Sequence, residues 1–104
     1  MTELGFRPNR GTLILSEGAD WICSIDSPDV WEPGTEVWVE FPELDIRWNA
    51  TVDPLTGVAG FKVEQSETTA EKVPNGSVFR LFFKAPGDPS AEYLWFVGKV
   101  KRID

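Results

Sequence analysis

The 104-residue chain has no histidine and a single cysteine. Without histidine no side chain titrates near neutrality at its ordinary pKa, and one thiol can neither close an internal disulfide nor build a thiolate zinc site. The composition therefore points away from an enzyme, and no cofactor or metal is expected. Long apolar runs are missing too, since no stretch approaches the roughly 18 residues of a spanning helix. Met1-Thr2-Glu3-Leu4 lacks the basic and apolar regions of an export signal. The expectation is a chain made without such a signal and with no membrane partner. Basic charge is scarce in the first half: residues 1–52 carry Arg7, Arg10 and Arg47 against ten acids, whereas residues 53–104 carry seven of each sign, for a net charge of -7. A phosphate backbone would be repelled by the first half, so no nucleic-acid partner is expected.

What is present is a globular composition, 41% apolar and 12% aromatic, at a length that makes one domain with a thin core. The dominant signal is period-two alternation in short runs, broken by Gly, Pro, Asp and Asn every ten or so residues. Residues 12–16 predict a first strand, followed by the turn Ser16-Glu17-Gly18. In residues 19–27 Trp21, Cys23 and Ile25 share a face, opposed by Ile22, Ser24 and Asp26. Pro28, Pro33 and Gly34 mark a loop. In 36–41, Val37, Val39 and Phe41 face inward, while Glu36, Trp38 and Glu40 face outward; Leu44, Ile46, Trp48, Ala50 and Val52 predict one further strand. Ala59, Phe61 and Val63 follow the turn 53–57.

Residues 66–73 break the rhythm. Thr68 with Glu71 has capping-box spacing for one helical turn, ended by Pro74-Asn75-Gly76. Two apolar strands, 78–84 and 93–102, close the chain around the polar loop 85–90. This predicts an N-terminal arm over 1–10 and, over 11–104, an all-β, immunoglobulin-like antiparallel β-sandwich of about seven strands with one short helical turn. A small barrel is the alternative architecture.

Five tryptophans are many for this length. Trp21 and Trp48 fall on inward faces, and packing explains them. Trp38 lies between Glu36 and Glu40 on a polar face, Trp31 lies in a Pro-bounded loop, and Trp95 shares an alternation face with Tyr93 and Val97, opposed by Leu94 and Phe96. Exposed aromatics anchor protein interfaces and also serve as platforms in sugar-binding sandwiches. The last strand ends in Lys99, Lys101 and Arg102, opposite in sign to Glu36, Glu40, Glu43 and Asp45. Unlike surfaces of this kind set the register of head-to-tail contacts, which close into rings. The interface candidates are therefore Trp31, Glu36, Trp38, Glu40, Tyr93, Trp95, Lys99, Lys101 and Arg102. Cys23 reads as a small hydrophobe. Asp26 and Asp29 supply too few oxygens for a calcium loop, and both Asn49-Ala50-Thr51 and Asn75-Gly76-Ser77 read as chance sequons. An acidic DNA mimic and a carbohydrate-binding module remain the alternatives to a structural protein.

The order Gly18-Ala19-Asp20-Trp21, then Ser66-Glu67-Thr68-Thr69-Ala70, Val73-Pro74-Asn75-Gly76 and Gly98-Lys99-Val100 resembles small β-sandwich virion proteins of long-tailed phages, found as tail-collar, fibre-connector and upper-baseplate modules. The resemblance spans residues 11–103. The chain departs from those modules at residues 30–35, where they carry an apolar Leu-Thr-Gly element. The resemblance implies a non-enzymatic, assembled protein of a tail, collar or capsid. Its location would be the virion, and its partners copies of itself in a ring or lattice together with other virion proteins.

Overall fold

Short runs of β-branched and aromatic residues cannot bury both faces alone, so they must stack as layers. A computed structural model describes residues 8–26, 34–53, 56–86 and 91–103, and among these it forms eight strands. They are β1 (Asn9–Leu15), β2 (Trp21–Asp26), β3 (Glu36–Phe41), β4 (Ile46–Asn49), β5 (Thr51–Asp53), β6 (Val58–Val63), β7 (Val78–Ala85) and β8 (Ala91–Arg102). A 3-10 turn occupies Gln65–Glu67. One sheet has the order β1-β8-β7-β3-β4 and the other β2-β6-β5. With β2, β6 and β5 as strands B, E and D, and β8, β7, β3 and β4 as G, F, C and C′, this is the immunoglobulin-like order of a β-sandwich.

The core lies between the sheets and takes the side chains that alternation turns inward. Val37, Val39 and Phe41 of β3, Phe61 and Val63 of β6, Leu81 of β7 and Val100 of β8 are all buried. Trp21 contributes a tilted ring 5.0 Å from Phe61 and 5.5 Å from Trp48, and Trp48 meets Phe41 edge-on at 4.8 Å. Of these contacts Trp21–Trp48 joins the two sheets, while the other two each lie within one sheet, all in the layer where antibody domains place a B–F disulfide. Here the B strand carries Cys23, partly buried against the core. Burial pushes its thiol pKa upward, as expected of a packed rather than a reactive cysteine.

Five features depart from the sequence expectations. The framework is not wholly antiparallel, because β1 pairs in parallel with β8 from Asn9 opposite Phe96 to Leu15 opposite Arg102. Asn9 and Arg10, assigned to the arm, are thus ladder residues. The single strand expected through residues 44–52 is two strands in different sheets. Leu44 sits in the β3–β4 turn, where Asp45 takes a positive φ of 55°, and the chain changes sheets at Ala50, whose N–H donates to the Val37 carbonyl.

The helical turn falls earlier than its capping box. Thr68 follows the 3-10 turn as its C-cap, and its fully buried hydroxyl donates to the Ala19 carbonyl at 2.8 Å instead of capping the N-terminus of a helix. The fourth difference is a register shift between Leu81 and Phe82 opposite Trp95. One extra residue in a strand inverts every face beyond it. Val97 accordingly faces the same side as Leu94, whereas Tyr93 and Phe96 point toward the other sheet. Fifth, Trp38, expected to be exposed, is only 6% accessible.

Candidate functional site

The outer face of the five-stranded sheet is built by residues that alternate with the core positions. At its centre Trp38 of β3, Phe82 of β7 and Leu94 of β8 stand in one cross-strand row. Trp38 and Phe82 stack at 5.5 Å with an 18° interplanar angle, and the Arg47 guanidinium from β4 lies 4.3 Å above the Trp38 ring. The Arg47 Nε also donates to Asn49 Oδ1 at 3.0 Å, which fixes the plane of the cation over the indole. This covering explains the burial of Trp38 on a face that alternation assigns to solvent.

Charged rows flank this aromatic centre. Glu40, Arg80 and Val97 are paired in one row, and Glu36, Lys84 and Glu92 in another, with Lys84 Nζ 3.9 Å from Glu36. Toward the β1 edge the same face presents Lys99 and Lys101, which lie opposite Thr12 and the half-exposed Ile14. Acidic β3 and basic β8 are therefore displaced laterally across a single surface. An aromatic centre with a charged periphery is the general anatomy of a protein contact surface.

The remaining sequence candidates lie elsewhere. Tyr93 and Trp95 do not join Trp38, because the bulge turns them toward the opposite side of the sheet. Tyr93 stacks on Phe83 at 5.0 Å, and Trp95 meets Phe83 edge-on at 5.6 Å and Phe96 at 5.3 Å. Trp38 and Trp95 consequently do not form the coplanar exposed row that a glycan platform requires. Trp31 and Asp29 lie outside the described residues. The outer face also holds Arg47, Arg80, Phe82 and Leu94, which the sequence expectations do not include; Phe82 alternates with Arg80 against buried Phe79 and Leu81.

Arg102, an expected interface cation, is instead an internal tie whose side chain is 4% exposed. Its guanidinium donates to the Thr68 carbonyl at 2.8 Å, to the Val73 carbonyl at 3.1 Å and to Glu17 Oε2 at 2.9 Å, while its backbone N–H donates to Asn75 Oδ1. Glu17 also accepts from the Ala70 N–H, and Asp20 accepts from the Gln65 N–H at 2.7 Å. Together these bonds clasp the β1–β2 turn to the segment between β6 and β7. Most of the residues that carried the family resemblance, from Gly18 to Trp21, Ser66 to Ala70 and Val73 to Gly76, line this clasp.

Among the described residues no group of three or more Cys, Asp or Glu is gathered as a metal site. A comparison with curated proteins gave no significant match. A family model described as an LtfC-like, beta-sandwich domain matches residues 7–103. Together with the two-sheet architecture, that match over nearly the whole chain shows that the protein belongs to the LtfC-like β-sandwich domain family, a phage tail-associated family.

Proposed function

We propose that the chain is a non-enzymatic structural component of a phage virion, at the tail, collar, fibre base or capsid, and that it acts by protein–protein assembly. The observation that carries this reading is the outer face of the five-stranded sheet. Its Trp38–Phe82–Leu94 centre is preorganised by stacking and by Arg47. The half-buried Phe82 and Leu94, held by the Trp38 indole that Arg47 covers, would lose little side-chain entropy against a partner, and the surrounding charges would orient it. Glu36 and Glu40 on one side and Lys99 and Lys101 on the other suit a head-to-tail neighbour of the same kind, giving a ring or lattice. Family membership supports the setting, and the lateral separation of charge supports the mode of contact.

Charge reversal tests the reading without touching the core. Glu36→Lys with Glu40→Lys should abolish incorporation into particles while lowering the unfolding midpoint only slightly, through like charges opposite Lys84, Arg47 and Arg80, and adding Lys99→Glu with Lys101→Glu should restore incorporation. Normal incorporation of the doubly reversed acidic face would contradict the proposal.

A further inference from the structure

The two outermost strands of the five-stranded sheet, β1 and β4, each have one edge with no ladder among the described residues. Two hydrogen bonds show which residues turn their backbone groups toward those edges. The Ala50 N–H donates to the Val37 carbonyl, so Ile46, Trp48 and Ala50 bond inward to β3, and Arg47 and Asn49 point their N–H and C=O outward. The Ile103 N–H donates to the Leu15 carbonyl, so Gly11, Leu13 and Leu15 bond inward to β8, and Arg10, Thr12 and Ile14 point outward. All five outward residues carry exposed side chains. Beside the β1 edge runs a groove of about 510 Å³ whose lining includes Gly11, Leu13, Trp21 and Ile22.

We propose that the β4 edge of one copy adds to the β1 edge of a second copy, joining the two five-stranded sheets into one. β1 runs parallel to β8, and the sheet then alternates in direction through β7, β3 and β4. A neighbour in the same orientation therefore presents β4 antiparallel to β1, and its core-facing side stays core-facing. Because the contact joins unlike edges, each added copy leaves another edge open and the array grows head to tail. The three-stranded sheet is two strands narrower, about 10 Å at roughly 4.8 Å per strand, which leaves room for the wider sheets to meet.

Charge selects both the partner and the register. Glu43 and Asp45 are exposed in the turn that opens β4, whereas Arg10, Lys99 and Lys101 stand on and beside β1, so the two edges complement each other and β1 against β1 would oppose like charges. Keeping outer-face residues together allows only registers two residues apart. One of these opposes Arg47 to Arg10, and another sets Arg47 on Ile14 beside Lys101. The register between them pairs Thr12 with Arg47 and Arg10 with Asn49, and carries Asp45 to Ile14, whose ladder partner is Lys101. On the inner side it brings the half-buried Ile46 to Leu13, at the wall of the groove. This contact goes beyond the outer-face reading above and uses none of its aromatic residues.

Amide hydrogen exchange of the full chain reads this contact residue by residue. The outward amides of Arg10, Thr12, Ile14, Arg47 and Asn49 should exchange fast in dilute solution and slow as protein concentration rises, by about fourfold at ten times the dissociation constant, where mass action leaves roughly a quarter of the edges open. The alternate amides of Gly11, Leu13 and Trp48 should be protected throughout. Proline at an outward position blocks one edge and spares the internal ladder. Asn49→Pro or Thr12→Pro alone should keep its edge amides fast at every concentration, whereas mixing the two should slow the β1 amides of the first and the β4 amides of the second. Outward amides whose exchange is independent of concentration overturn the proposal, a readout that needs no variant, and so does protection that persists in either variant alone or fails to return on mixing. Charge reversal of Glu36 and Glu40 should leave the alternating pattern intact, so loss of incorporation with retained edge protection would assign the two contacts separately.

Discussion

Removing the Arg102 guanidinium should be among the most damaging single changes to the fold. Arg102→Ala deletes the donors that reach the Thr68 and Val73 carbonyls and Glu17 at 2.8, 3.1 and 2.9 Å, from a side chain that is 4% exposed. Hydrogen bonds to a charged group contribute about 1.5–3 kcal/mol each when water does not replace them. The Glu17 arm is discounted because that carboxylate is 53% exposed and remains hydrated when its partner leaves. The two carbonyl bonds then set the loss at about 3–6 kcal/mol. For a domain of this size, at about 4–8 °C per kcal/mol, the midpoint should fall by at least about 12 °C. Urea unfolding followed by tryptophan fluorescence measures the change as a shift in midpoint at constant slope. Arg102→Lys should recover less than half of the loss, since one ammonium cannot span the same fork, and Glu17→Ala should cost about 1 kcal/mol. The reasoning is refuted if Arg102→Ala stays within about 1 kcal/mol of the parent, or if Glu17→Ala is equally damaging.

Other perturbations separate the two sides of the five-stranded sheet and test its edge. Trp38→Ala should destabilise the domain by about 3 kcal/mol, because the indole is buried between Phe82 and Arg47; an unchanged denaturation midpoint would place the ring in solvent. A Cβ added at Gly98 would collide with the Gly11 carbonyl oxygen and lie 3.1 Å from Phe79 Cε1, so Gly98→Ala should displace β1 and accelerate amide exchange across Asn9–Leu15, whereas protection equal to the parent would contradict the parallel pairing. The Cys23 thiol has a pKa raised from its usual 9.0 by burial. Its contribution to stability is therefore complete below pH 9.0 and lost as pH rises through the higher folded value. Stability of the parent relative to Cys23→Ala should fall in that alkaline range, and a difference that is flat with pH would show an exposed thiol.

The sequence made the inward faces of β2, β3 and β6 legible because alternation encodes which side of a strand meets the core. It does not encode which sheet a strand joins. Ile46, Trp48, Ala50 and Val52 alternate without interruption across the change of sheets at Ala50. Nor does it encode strand direction, so the parallel pairing of β1 left no mark. In β8 both faces are apolar around Trp95, and an extra residue there cannot be located from pattern alone. Trp38 sits on the polar face as alternation predicts, yet it is buried by Phe82 and Arg47, which are distant in the sequence. Arg102 offered no local sign of burial either, since its partners come from residues 17, 68, 73 and 75. The acidic and basic candidates Glu36, Glu40, Lys99 and Lys101 do share one surface, because alternation governs their positions.

The central claim is that this sandwich works as an assembled part of a particle. Its most direct test is absolute quantification of the chain by mass spectrometry in particles purified from a host strain that carries its coding sequence and yields virions. Assembly predicts a fixed copy number relative to the major tail and capsid proteins, retained through repeated purification and lost when Glu36 and Glu40 are reversed to lysine. A chain absent from the particles, or present in amounts that fall with each purification step, would contradict the account.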